Sequence, residues 1–159
     1  MPGSGPAVAL AATMSIAAFP HHYSVRLDHD TLDAAPRMPI CTGAPPQFGG
    51  TDDVWSPEHL LVGAALTCLK TTFDAYALRE HVVVHAWRGV ATGVLAKGSA
   101  GPLFTAIELE IEIVTDPGDE ARAQAVLGTA ERHCIVSRAL SAPVHVTGRV
   151  TASSGRAAG

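Results

Sequence analysis

Two cysteines carry the strongest chemical signal in this chain: Cys68 within SPEHLLVGAALTCLKTTF and Cys134 within AERHCIVSRAL. A thiol is a useful nucleophile only as its thiolate, so each position must be read for what would ionise the sulfur. Cys68 falls on the stripe Leu61, Ala64, Ala65, Cys68, whose small members leave room beside it. Cys134 closes the stripe Ala123, Val126, Leu127, Ala130, Cys134, at helical spacings of three and four. Either cysteine alone reads first as a small buried hydrophobe. Together, on two inward stripes and without a secretory signal, they point to redox chemistry rather than a structural staple.

A cysteine in the middle of a helix gains little from the helix dipole, which acts on the first turn. A reactive thiolate at Cys68 therefore calls for a cation. Glu58 is the natural holder of one, although an acid in a first turn is also favourable by itself. Ten residues separate Glu58 from Cys68, or about 15 Å along a helix, so the two do not touch. An arginine between them would link both, and Arg26 and Arg37 are the candidates. Cys41, in PICTGAPP, reads as a free loop thiol. Eight histidines raise a metal site, but no C-x-x-C or paired-ligand spacing occurs, and His21 and His22 diverge across a strand. Neither a metal nor a cofactor is expected. His59 and His133 read as surface residues, and Trp55 as a hydrophobic staple before the helix.

The elements that must position these residues follow from pattern. HHYSVRLD (21–28) alternates as a strand, a second is expected within 30–35, and the Pro- and Gly-rich 36–53 is a loop or irregular edge. Ser56 as N-cap, Pro57 at the first helical position and Glu58 in the first turn start a helix that runs to about Glu80. It is apolar nearly all round from Leu60 to Leu69, so burial on every side is expected. A strand over 82–96 is expected with breaks at Gly89 and Gly93, followed by a turn at KGSAGP. In IELEIEIV, Ile107, Leu109, Ile111 and Ile113 face inward while Glu108, Glu110 and Glu112 face water. Asp116 is expected to cap the second helix with Pro117 at its first position, and VHVTGRV (144–150) to close the domain as a strand. The class is α+β, a mostly antiparallel sheet wrapped around the buried helix.

At 159 residues the chain fits one domain, expected over 19–152, with a disordered tail at 1–18 and a short tail at 153–159. A net charge of −4 leaves no basic face for nucleic acid. The longest apolar run is too short to span a bilayer. With no basic leader ahead of it, a reducing cytoplasm is the expected compartment. A hydrophobic content of 47% against 16% charged suggests apolar surface hidden in a dimer.

WSPEHLLVGAALTC resembles the signature helix of the OsmC/organic hydroperoxide resistance family, in which an N-P-E or S-P-E start precedes the peroxidatic cysteine by ten residues from the Glu. AERHCIVSRAL is similar to the second cysteine motif, usually C-P-[VY]-S, and the likeness runs over about 21–150. The resemblance implies an OsmC-like fold in an intertwined homodimer with both sites at the subunit interface. It also implies that Cys68 attacks an organic hydroperoxide, that Cys134 resolves the product as a disulfide, and that Glu58 holds the activating arginine. An external dithiol, lipoyl-type by analogy, would be the reductant. Two departures stand out. Ile135 replaces the usual proline, and Asp28 to Asp30 stand near where the family's arginine falls, leaving Arg26 or Arg37 to substitute. The competing readings are a non-catalytic module of the same fold that binds a small apolar ligand, and a thiol redox sensor.

Overall fold

The structure, a computed structural model, describes residues 18–154. The tail over 1–17 and the last five residues of the C-terminal tail lie outside them. Two compact units divide at Ile40 and Cys41. In the first, β1 (Arg26–Asp28) and β2 (Thr31–Asp33) form an antiparallel hairpin pairing Arg26 with Asp33 and Asp28 with Thr31. The strand expected from His21 is thus shorter, because residues 21–25 find no partner strand and lie exposed. A two-residue strand, β3 (Ile40–Cys41), falls at the junction.

The second unit holds the rest. A single 3-10 turn (Pro46–Phe48) leads to the long helix α1 (Pro57–Arg79). Ser56 caps it as expected, its hydroxyl accepting from the His59 amide at 3.2 Å, with Pro57 at a position where no N–H is needed. The helix stops where His81 turns left-handed (φ 54°), letting the Val82 amide reach back to the Ala77 carbonyl at 2.9 Å. Trp55 is half-exposed and meets the His59 ring edge-on at 6.5 Å, not as a buried staple.

β4 (Val84–Gly98) and β5 (Gly101–Thr115) are a long antiparallel hairpin, and β6 (Val144–Ala152) pairs with β5 in parallel. Parallel neighbours need a long return path, here supplied by α2 (Glu120–His133) and α3 (Ile135–Ala139). This return path is what carries Cys134 back over the sheet. Ile107, Leu109, Ile111 and Ile113 lie under the helices, each 2% exposed or less, as the alternation anticipates. Ala123, Val126, Leu127, Ala130 and Cys134 are likewise buried.

Three further expectations need correction. β4 is continuous through Gly89 and Gly93; a Cβ at Gly93 would sit 2.7 Å from Val62 and one at Gly89 2.8 Å from Leu66. These glycines are where α1 presses on the sheet, so they give room rather than end the strand. Asp116 does not cap α2: Asp116 to Asp119 form a turn through a left-handed Gly118 (φ 94°), and Asp116 instead meets His85 at 2.6 Å. Finally, only Ala65, Leu69, Phe73 and Ala77 of α1 are buried, while Leu60, Leu61, Val62 and Leu66 are half-exposed. Within one chain, the sheet and α2 cover a single side of this helix.

Candidate functional site

Cys68 lies midway along α1, where the next turn brings Thr72 onto the same face. Cys134 occupies the joint between α2 and α3, with extended backbone (φ −63°, ψ 112°), and is wholly buried. That joint turns the first amides of α3 back toward α1. The Val136 amide donates to Cys68 Sγ at 3.5 Å, with the Ile135 amide and the Thr72 hydroxyl beside the same sulfur. Cys134 and Cys68 are neighbours that each act on the other's acidity, and both are free thiols. Ser137 Oγ donates to Cys134 Sγ at 3.1 Å.

These contacts separate the acidities of the two sulfurs. Burial pushes the Cys68 thiol up, but the donors from Val136, Cys134, Ile135 and Thr72 outweigh it and bring the group below the ordinary thiol value. For Cys134, burial pushes up, the Ser137 hydroxyl and amide offset part of this, and the neighbouring Cys68 adds a further rise. The pair is therefore poised with its negative charge on Cys68. Ionisation here draws on neutral donor groups. Ile135 matters in this respect, because a proline at that position would have no amide hydrogen to donate.

The other sequence candidates make contacts of their own. Glu58 lines a cleft of about 470 Å³ at the start of α1, walled by Phe48, Val62, Gly93, Leu95 and Phe104. Its Oε2 is buried without a hydrogen-bond partner among the described residues, a situation that costs about 1–3 kcal/mol or more for a charged group until a donor arrives. Cys68 is not part of that cleft's lining. In the first unit, Arg26 pairs with Asp33 at 2.7 Å and Arg37 donates to the Ala34 carbonyl at 3.2 Å. Cys41 is an exposed free thiol. Among the described residues no three His, Cys, Asp or Glu side chains converge as metal ligands, and no helix is long and apolar enough to cross a membrane. Thr72 was missed by the sequence reading; its signal is the four-residue spacing from Cys68. Ser137 was legible only as the last letter of the second cysteine motif.

Residues 50–148 match the family described as OsmC-like protein, well over half of the chain, and the chain belongs to that family. Among curated proteins no sequence matches it. Its fold is similar to that of an OsmC-like protein of unknown function from Vibrio cholerae, at 19% identity and TM-score 0.69 over 75% of this chain and 82% of that one. It is also similar to an OsmC-like protein from Mycoplasma pneumoniae (17% identity, TM-score 0.68, 84% and 99% covered). An organic hydroperoxide resistance protein from Legionella pneumophila aligns at 16% identity and TM-score 0.64 over 86% and 99%. At such identities the likeness is one of fold.

Proposed function

We propose that the protein is a thiol-dependent peroxidase that reduces organic hydroperoxides, with Cys68 as the attacking thiolate and Cys134 as the resolving thiol. The observation that carries this reading is a pair of neighbouring free thiols in which the Val136 amide donates to Cys68 Sγ and Cys68 is the more acidic member. The Cys68 thiolate attacks the terminal oxygen of ROOH, the O–O bond breaks, and with one proton the products are ROH and a sulfenic acid. Cys134 then displaces water from that sulfenic acid to close a disulfide, and an external dithiol, itself oxidised to a disulfide, returns both thiols.

Charge sets the order of these steps. Burial, and to a smaller extent the charge of Cys68, raise Cys134; conversion of Cys68 to a neutral sulfenic acid removes the second of these and eases the attack by Cys134. Glu58, with its unpartnered oxygen, is the group to which a guanidinium from Arg26 or Arg37 would bind, as the family pattern implies. Exposed Phe48 and Trp55, together with the uncovered side of α1, support a homodimer, and light scattering should give twice the chain mass. A reducing cytoplasm suits the thiol form.

The test is consumption of cumene hydroperoxide by the reduced protein with a lipoyl-type dithiol. Catalytic consumption, slower with hydrogen peroxide because apolar walls favour alkyl groups, is expected. No consumption with either peroxide would end the reading. The apolar lining of the Glu58 cleft favours a second one, a binding module for a small apolar ligand, in which the same assay stays flat while an apolar fluorophore binds.

A further inference from the structure

The first turn of α3 serves both sulfurs of the pair. Its Val136 amide donates to Cys68 Sγ at 3.5 Å, and the next residue, Ser137, donates through its hydroxyl to Cys134 Sγ at 3.1 Å. Serine and threonine hydroxyls within helices commonly turn to a carbonyl of the preceding turn. Thr67 does so with Gly63 at 2.8 Å and Thr129 with Ala125 at 3.0 Å. Ser137 follows a break instead, since the extended backbone of Cys134 (ψ 112°) interrupts the helix ahead of it. Its hydroxyl meets a side chain three residues back, across the joint. Cys134 is wholly buried, so bulk solvent does not touch its sulfur to stabilise charge that forms there. The Ser137 hydroxyl is a fixed donor where solvent supplies none.

We infer that Ser137 is a positioning residue for Cys134, its hydroxyl donating to that sulfur and steadying it during the attack on oxidised Cys68. In this step the Cys134 sulfur bonds to Cys68 Sγ, the S–O bond of the sulfenic acid breaks, and the thiol proton leaves with the departing hydroxide as water. The Ser137 hydroxyl keeps its own hydrogen throughout. This deepens the peroxidase reading and rests on Cys134 as the resolving thiol, but its test needs no peroxide. Full-length protein carrying Cys41→Ser, which removes the exposed third thiol, is compared with the same protein also carrying Ser137→Ala, Ser137→Val or Ser137→Thr. Each is mixed in its reduced form with dithionitrobenzoate, an aryl disulfide. One aryl thiolate leaves as Cys68 is capped, and a second leaves as Cys134 displaces the cap to close the disulfide. Ser137→Ala and Ser137→Val should leave the first release unchanged and slow the second about tenfold at neutral pH, with its pH profile displaced upward. Ser137→Thr, which has the shape of the Val variant with the hydroxyl restored, should stay close to the parent. Iodoacetamide alkylation of Cys68 across a pH series should coincide in all four proteins. An unchanged second release in Ala and Val overturns the inference, as does equal slowing in Thr, which would mark a packing effect. A displaced Cys68 alkylation profile also overturns it, because the hydroxyl would then act on the other sulfur. Ala, the best helix former, covers the case in which Val fails to fold. A hydroxyl-dependent second release in a protein that consumes no peroxide keeps the inference and removes the peroxidase reading. Peroxide consumption with a second release indifferent to Ser137 keeps the reading and removes the inference.

Discussion

Cys68 and Glu58 stand ten residues apart on one helix, yet their surroundings differ in kind. The Val136 amide of the α2–α3 joint donates to the sulfur, and its charge is favoured although burial opposes it. The carboxylate lines an open cleft with one oxygen buried and unpartnered among the described residues. The first environment is complete within the second unit, whereas the second waits for a donor. A thiol can thus be made acidic by its local surroundings, independently of the carboxylate ten residues away. The two environments are divisible by mutation.

The largest effect is expected at the sulfur. Cys68→Ser should reduce hydroperoxide consumption to background, whereas Cys134→Ser should react once and stall as a sulfenic acid trapped by dimedone. Next comes Glu58→Gln. If the carboxylate works by holding a guanidinium, turnover should fall about tenfold to a hundredfold while the alkylation profile of Cys68 hardly moves. A matching displacement of that profile would merge the two environments and break the comparison.

Ile135→Pro removes one amide donor from Cys68, and alkylation there should slow by roughly fivefold with the fold retained. In Cys68→Ser, Cys134 loses the charge that raises it and should alkylate at lower pH than in the wild type. An unmoved Cys134 profile would deny the coupling. The smallest effect on chemistry is expected from Gly148→Ala, whose Cβ would lie 2.1 Å from Leu127 Cδ2. It should cost about 1–3 kcal/mol by overpacking in urea unfolding, and leave the Cys68 profile in place.

Elements with local signals were legible in the sequence. Ser56, Pro57 and Glu58 mark the start of α1 because capping is decided within four residues, and the Ile/Leu/Glu alternation of β5 reports one buried face. The Cys134 stripe could be counted off by helical spacing, whereas the buried stripe of α1 is Ala65, Leu69, Phe73 and Ala77, with Leu61, Ala64 and Cys68 only half-buried. What escaped was set at a distance. The parallel pairing of β6 depends on the path of α2 and α3, and the role of Gly89 and Gly93 depends on Leu66 and Val62 arriving from another element. Asp116–Pro117 imitates a helix start, yet Gly118 turns the chain once more before α2 begins. At the site, charged side chains are displayed by the sequence, whereas backbone amides leave no letter to read. Ile135 shows this well: its side chain is exposed, and its contribution is the hydrogen on its nitrogen.

The most direct measurement is a thiol count on the reduced protein after cumene hydroperoxide without reductant, followed by peptide mapping. The account predicts that two of the three thiols disappear per chain, joined as a Cys68–Cys134 disulfide with Cys41 still free, and that Cys68→Ser loses none. Equal thiol loss in both proteins, or a disulfide that omits Cys68, would contradict it.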